Sequence, residues 1–325
     1  MKSHGILLVR DPRVSEQENS NYLDMLERYF DQPAEAKMAD VRADVGYQVG
    51  ATPERVEVPR CAADPNCEEV ISNFGEEHKP TLPLGPDLKW RFFWRIGERP
   101  VDTKFPELNC PAVIPAAFPE WETVMNRWGD LMHGAVNTVG AMVGQGLGLG
   151  REVFPKMSDK GQHLLAPTGS DLGRYDEKGS IFAGFHYDLN FLTIHGKSRF
   201  PGLYIWLRTG EKMRVSVPDG CLLVQAGKQL EWLTGGAIRA GYHEVVFDET
   251  TRRALDAARA ANRPLWRVSS TMFHHINSDA TLEPLGPFAT EEACKAYPPT
   301  LCGDYVTSEL EVIQLRKPDE EEVKA

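Results

Sequence analysis

The chain has 325 residues, 42% of them hydrophobic and 26% charged, with 47 acidic side chains against 36 basic ones and a net charge of −11. That length suffices for one large domain or two ordinary ones, and that sign of charge argues against nucleic acid and an anionic membrane surface as partners. No apolar run approaches the roughly 18 residues that span a bilayer, and the one at 5–9 is too short for a secretion signal, so a cytoplasmic location is expected. The six cysteines, at 61, 67, 110, 221, 294 and 302, show no C-x2-C spacing. Reduced thiols are expected, with a Cys61–Cys67 disulfide as the minor alternative.

Residues 4–10 read as a short buried strand. Ser15 is placed as an N-cap, and Glu18 three residues on completes a capping box. Tyr22, Leu23, Leu26, Tyr29 and Phe30 then recur at helical spacing until Pro33. A shorter helix is predicted over 34–42. Ten prolines from 53 to 115 rule out long helices there. Residues 89–96 read as an extended segment with aromatic anchors. Its Arg91 and Arg95 either contact an anionic substrate or belong to a structural edge strand. The longest helix is predicted at about 119–144, where Trp121, Met125, Trp128, Met132 and Val136 lie on a wide apolar stripe. Gly144, Gly146, Gly148 and Gly150 follow a helix and not a strand, so they form its C-cap and turn and no dinucleotide fingerprint.

After residue 151 the pattern changes to short strands separated by Gly, Pro and Asp turns. The candidates are 162–167, 181–187, 191–195, 202–208, 213–217, 220–226, 229–233, 242–247, 266–273 and 306–313, interrupted by one helix at 249–262. Such spacing predicts a sandwich or jelly-roll barrel. The expected fold is mixed α/β dominated by β. Residues 1–150 form a helical and irregular region packed on the barrel, 151–316 the core, and 317–325 a charged disordered tail.

His186 and Asp188 lie two apart in an apolar, strand-like run and so face the same way. An imidazole beside a carboxylate is two-thirds of the 2-His-1-carboxylate facial triad that holds Fe(II) and leaves three positions open. The third ligand should come from another strand. His243, 55 residues past Asp188, is the best candidate; His195 has the wrong parity, and the adjacent His274 and His275 point to opposite faces. Arg267 and Ser269 are again two apart on a strand, and a guanidinium beside a hydroxyl suits a carboxylate. Tyr187, Asn190 and Phe273 neighbour these positions and are candidates for the substrate pocket, with Arg91 and Arg95.

In the order H-x-D, His243, R-x-S, these residues make the chain resemble the isopenicillin-N-synthase-like branch of the Fe(II)/2-oxoglutarate-dependent oxygenases. The likeness extends to Phe30-Asp31-Gln32-Pro33-Ala34-Glu35-Ala36-Lys37, to the passage from Gly220 to Thr234, and to Pro284-Leu285 and Tyr297-Pro298-Pro299. The resemblance implies a double-stranded β-helix flanked by helices. It implies Fe(II) on His186, Asp188 and His243, and 2-oxoglutarate on Arg267 and Ser269, with O2 as co-substrate. The activity implied is hydroxylation, desaturation or cyclisation of a small molecule with release of succinate and CO2. A 2-oxoglutarate-independent iron oxidase of the same fold is the alternative, followed by a metal-binding barrel without oxygenase activity or a zinc hydrolase. Three features depart from the family's pattern. Leu165-Ala166-Pro167-Thr168 replaces its usual polar segment, and Glu244 follows His243 where arginine is usual. Arg267 lies 24 residues after His243 because the helix at 249–262 intervenes, either over the mouth of the barrel or as a plain surface helix.

Overall fold

The computed structural model describes residues 1–2, 4–63, 66–82 and 85–315; the expected tail at 317–325 lies outside them. The N-terminal region supplies β1 (Ile6–Val9), α1 (Glu16–Phe30), α2 (Ala34–Met38), β2 (Gly50–Thr52), α3 (Arg60–Ala63), α4 (Asn66–Ser72), β3 (Trp90–Ile96) and the long helix α5 (Trp121–Gly146). After α6 (Val153–Ser158) come β4 (His163–Leu165), β5 (Thr168–Asp171), β6 (Ile181–Tyr187), β7 (Leu192–His195), β8 (Leu203–Trp206), β9 (Lys212–Arg214) and β10 (Leu222–Ala226). The chain continues through α7 (Lys228–Leu233), β11 (Tyr242–Val246), α8 (Glu249–Ala260), β12 (Trp266–Val268) and β13 (Thr271–His274). It closes with β14 (Thr281–Leu282), α9 (Glu291–Ala296), β15 (Thr300–Leu301) and α10 (Cys302–Val312).

Two antiparallel sheets make a double-stranded β-helix. The larger runs β1-β10-β7-β13-β4-β3-β5-β12, with β2 paired to β3, and the smaller runs β6-β11-β8-β9. From β6 to β13 the chain passes repeatedly between the two sheets, which winds them into a jelly roll. Three strands before residue 150 are hydrogen-bonded into the larger sheet: β1 on β10, β2 on β3, and β3 on β4 and β5.

Helix α5 packs on α1 and across β3, β4, β7 and β13. Trp121, Met125, Trp128 and Met132 on its inner face are at most 1% exposed, each contributing roughly 1.5–3 kcal/mol by burial. Gly129 lies on the same face, and a Cβ there would overlap the Ile96 side chain, so the missing side chain lets helix and sheet approach. Ser15 caps α1 as the capping box predicts, its hydroxyl accepting from Glu18 N at 3.3 Å.

Several expected elements differ. Residues 229–233 are helix α7, because Gln229, Leu230 and Leu233 bury together while the Thr234 hydroxyl donates back to the Leu230 carbonyl at 2.8 Å. Residues 306–313 belong mostly to α10, whose buried Cys302, Tyr305, Val306 and Leu310 follow helical spacing. The run 266–273 breaks at Ser269–Ser270 as the chain moves from β5 to the β4–β7 neighbourhood. Helix α2 stops at Met38, short of residue 42. The expectation of reduced thiols fails for one pair: α3 and α4 are close neighbours in the chain, and their contact joins Cys61 to Cys67 in a disulfide with Cα atoms 5.1 Å apart. Cys110, Cys221, Cys294 and Cys302 are free.

Buried imidazoles punctuate this core. His163 stacks on His274 with ring centroids 4.3 Å apart, and His133 of α5 closes on both at 4.5 and 5.3 Å. Burial and mutual repulsion hold His163 and His274 well below the ordinary histidine range. Burial also takes His275 down to about 3, and His186 and His195 to about 4. A histidine whose folded pKa is depressed stabilises the fold above its unfolded value, near 6.5, and that stability is lost as pH falls toward the folded value. Each such ring costs about 1.4 kcal/mol per pH unit in that window. Glu27, Asp40 and Asp87, whose carboxyls burial raises, oppose this with fewer groups and at lower pH. The urea midpoint of the metal-free protein should therefore drop between pH 7.5 and 5.5. A midpoint that holds or rises would contradict the sign.

Candidate metal centre and its cavities

His186 is the penultimate residue of β6 and His243 sits opposite it on β11, the two being direct partners in the antiparallel register. Asp188 lies just past the end of β6, where its backbone carbonyl accepts from Lys228 N at 2.8 Å. Gly227 permits that approach: a Cβ there would overlap the Asn190 carbonyl. The His186 Nδ1 faces the Gly184 carbonyl at 2.6 Å and the His243 Nδ1 faces the Gly241 carbonyl at 3.3 Å. Since carbonyls only accept, each Nδ1 carries the ring proton and each Nε2 keeps a lone pair.

Both Nε2 atoms converge on Asp188 Oδ1, at 3.7 and 3.6 Å, too far for hydrogen bonds. The second oxygen, Oδ2, accepts from the Thr193 hydroxyl at 2.6 Å. Burial alone would raise the Asp188 carboxyl, but the two rings and Thr193 outweigh it and hold it below its ordinary value. Burial, reinforced by the neighbouring His243, keeps His186 neutral. Two lone pairs and a carboxylate pointed at one another repel, and a divalent cation between them removes the repulsion. The donor set, two imidazoles and a carboxylate, fits Fe(II).

A second group, His133, His163 and His274, also brings ring nitrogens within 4.8 Å of one another. It offers no carboxylate. The backbone N–H of His275 donates to His163 Nδ1 at 3.2 Å, so the neutral ring carries its proton on Nε2 and has no lone pair left for a metal. His195, the rival third ligand, accepts from the Thr271 hydroxyl at Nδ1 (3.0 Å) and donates from Nε2 to Gln225 Oε1 (2.7 Å).

Arg267 and Ser269 open into a cavity shared with His195, Ser198, Arg214 and Thr271. The Arg267 Nε donates to the Pro201 carbonyl at 2.9 Å, and burial lowers its pKa to about 10. Ser269 Oγ accepts from the backbone N–H and the hydroxyl of Thr168, at 2.9 and 3.0 Å, so the departure at 165–168 still meets the R-x-S pair. His195 lines the same cavity as Arg267, and Asp188 and Arg267 both act on it electrostatically. Sequence parity alone gave His195 no role here.

The cavity over His186 and Asp188 is lined by Tyr187, Asn190, Phe273 and Arg91, among others. Arg95 is not among its lining residues; it bonds instead to Asn109 Oδ1 (2.5 Å) and to the carbonyls of Glu98 and Lys160 (3.3 and 3.2 Å). The sequence reading missed Glu57, Pro59, Asp87 and the α10 residues Val306, Glu309 and Leu310. No motif marks them, and α10 reads as a strand. Helix α8 does not reach this cavity. Its Leu255 packs with Leu172, Tyr175, Phe182, Phe200 and Phe247 in a separate apolar cluster. Glu244, where the family has arginine, is fully buried and accepts from Lys212 Nζ (2.5 Å) and Thr81 N (2.9 Å).

The family model for the 2OG-Fe(II) oxygenase superfamily matches residues 171–276, the stretch that contains both histidines, Asp188, Arg267 and Ser269. A kihadalactone A synthase of Citrus sinensis is 24% identical, over 74% of this chain and 80% of its own. The structure of a 2OG-Fe(II) oxygenase family protein of Caulobacter crescentus superposes with a TM-score of 0.72 at 19% identity, covering 95% of this chain and 90% of that one. A full-length Neurospora crassa protein in complex with alpha-KG superposes with a TM-score of 0.69 at 19% identity, covering 94% and 86%. Family model, fold and donor set agree in likeness: residues 171–276 match the 2OG-Fe(II) oxygenase superfamily, and the solved structures share the fold.

Proposed function

We propose that the protein is a dioxygenase that uses Fe(II) and 2-oxoglutarate to hydroxylate, desaturate or cyclise a small molecule, releasing succinate and CO2. His186, Asp188 and His243 hold the iron, and Arg267 with Ser269 takes the distal carboxylate of 2-oxoglutarate. The observation that carries this reading is the convergence of the two imidazole Nε2 atoms on Asp188 Oδ1, each ring turned so that its Nδ1 faces a backbone carbonyl. With Fe(II), 2-oxoglutarate and O2 bound, the centre supplies the oxidising equivalent that attacks a substrate C–H bond.

The chain's own contribution is orientation. The carbonyls of Gly184 and Gly241 fix the ring tautomers, and Thr193 holds Asp188 Oδ2 so that Oδ1 faces the histidines. Arg267 carries its charge into a buried cavity, where a carboxylate is recognised strongly. The apolar walls over His186 exclude water and aim one substrate bond at the centre. Residues 151–316 supply this core, with β1, β2 and β3 bonded into its larger sheet. The 2-oxoglutarate-independent oxidase remains the second reading, favoured by one observation: Ser269 Oγ already accepts two hydrogen bonds from Thr168.

The net charge of −11 supports a small-molecule substrate over nucleic acid. Among the described residues no helix is long and apolar enough to cross a membrane. A cytoplasmic location is proposed on the four free thiols, although the Cys61–Cys67 bridge, a bond rare in reducing compartments, weighs against it.

Asp188→Ala should abolish both stoichiometric Fe(II) binding and succinate release, while Thr193→Val should weaken Fe(II) binding about 10–100-fold without abolishing it. Undiminished succinate release from Asp188→Ala would refute the ligand set. Arg267→Met should raise the KM for 2-oxoglutarate by about 100-fold or more, as expected when a charge-assisted bond in a buried site is lost, and leave Fe(II) affinity unchanged. An unaltered KM, measured by succinate formation, would remove Arg267 from the 2-oxoglutarate site, whereas substrate oxidation by the wild type without succinate formation would point to the oxidase reading.

A further inference from the structure

The cavity over His186 and Asp188 is lined by Glu57, Arg60, Asp87, Arg91 and Glu309, and Lys89, which does not line it, completes their pairing. Glu57 accepts from Lys89 Nζ at 3.0 Å and from Arg91 at 2.5 Å, and Asp87 accepts from the same Lys89 at 2.6 Å. The other oxygen of Asp87 accepts from Gly184 N at 2.9 Å, next to the ligand strand's carbonyl. Across the cavity Arg60 pairs with Glu309 of α10 at 2.5 Å. Three carboxylates thus face three cations within salt-bridge distance. The Arg91 guanidinium, the cation expected to meet an anion, is committed to Glu57 and stacks on Phe93 at 3.9 Å. Desolvation pushes the Glu57 carboxyl up, but Arg91 and Lys89 more than offset that and hold it down at about 2, so it stays charged and the pairing persists.

Between these pairs the wall is apolar, made by Phe93, Leu164, Phe273, Val306, Leu310 and Ile313. Asn190 spends its amide N–H groups on the carbonyls of Leu192 and His274. Among the described residues the two guanidinium groups that line the cavity, Arg60 and Arg91, are each paired with a carboxylate, so an anionic ligand would have to leave water and compete with Glu309 or Glu57 for them. It would also approach a loaded centre in which a divalent ion, one carboxylate and a dicarboxylate leave one net negative charge. A neutral molecule meets neither penalty and covers the apolar wall.

From this geometry, and resting on the oxygenase reading above, we infer that the cavity bounded by the Glu57–Lys89–Asp87–Arg91 network, the Arg60–Glu309 pair and α10 selects an uncharged, mainly apolar substrate and rejects carboxylates, with Glu57 as the specificity-determining residue that keeps Arg91 from acting as an anion anchor.

The test is anaerobic isothermal titration of matched pairs, each a neutral aromatic or alicyclic alcohol and its carboxylate counterpart, from one ring to three rings. Titrations are run into protein loaded with Fe(II) and 2-oxoglutarate and again into metal-free protein. In at least one size class the alcohol should bind ten-fold or more tightly than the carboxylate. Glu57→Gln, which frees the Arg91 guanidinium, should narrow that ratio at least five-fold by tightening the carboxylate. Carboxylates binding as well as their alcohols in the wild type would overturn the inference, and so would no alcohol binding at all. A ratio that Glu57→Gln leaves unchanged in a folded variant would overturn the role of Glu57. Failure of the loading step itself, with the metal-free preference intact, would instead count against the oxygenase reading.

Discussion

Two imidazole lone pairs and a carboxylate oxygen face one another across less than 4 Å, and without a cation that arrangement is repulsive. It persists because each participant is held from behind. A backbone carbonyl takes each ring proton and a threonine hydroxyl takes the spare carboxylate oxygen. Those supports are elements of the barrel: antiparallel pairing sets His186 opposite His243, and the bond from Lys228 N to the Asp188 carbonyl ties the turn after β6 to the start of α7. The site is a consequence of strand register, and a slip of one residue would point its ligands to opposite faces.

The N-terminal half of the chain serves the same end by different means. Helix α5 and α1 cover the larger sheet with Trp121, Trp128, Tyr22 and Tyr29, all buried, and the Trp128 indole donates to Ser270 beside the R-x-S strand at 2.9 Å. Strand β3 enters the sheet between β4 and β5 and carries Arg91 and Phe93 to the cavity wall. The segment through Glu57 and Pro59 reaches the same cavity because Gly184, having no side chain, lets Pro59 lie against β6. One glycine thereby admits the cavity wall, while its carbonyl orients the His186 ring.

How much of this the sequence revealed depends on how local the determinant is. The His186–Asp188 pair, the α1 cap and the amphipathic stripe of α5 are set by spacing within one element, and all appear in the structure where periodicity puts them. Helix α10 was hidden because the order of Tyr305, Val306 and Leu310 suits a strand as well as a helix, and only packing against the core decides between them. Arg91 looked like an anion anchor because its partner Glu57 is 34 residues away and no pattern links them. Arg95 and Arg91 are basic side chains of the same extended segment, but only Arg91 lines the cavity, and composition is silent about where the cavity ends. Helix α8, conspicuous as an insertion before Arg267, turned out to bury Leu255 in its own apolar cluster away from the ligands.

The most direct test of the metal centre is anomalous diffraction at the iron edge from crystals loaded anaerobically with Fe(II) and 2-oxoglutarate. One iron peak is predicted about 2.1 Å from His186 Nε2, His243 Nε2 and an Asp188 oxygen, a distance typical of imidazole and carboxylate ligation, with the dicarboxylate running from it toward Arg267. An iron peak among His133, His163 and His274, or none beside Asp188, would contradict the account.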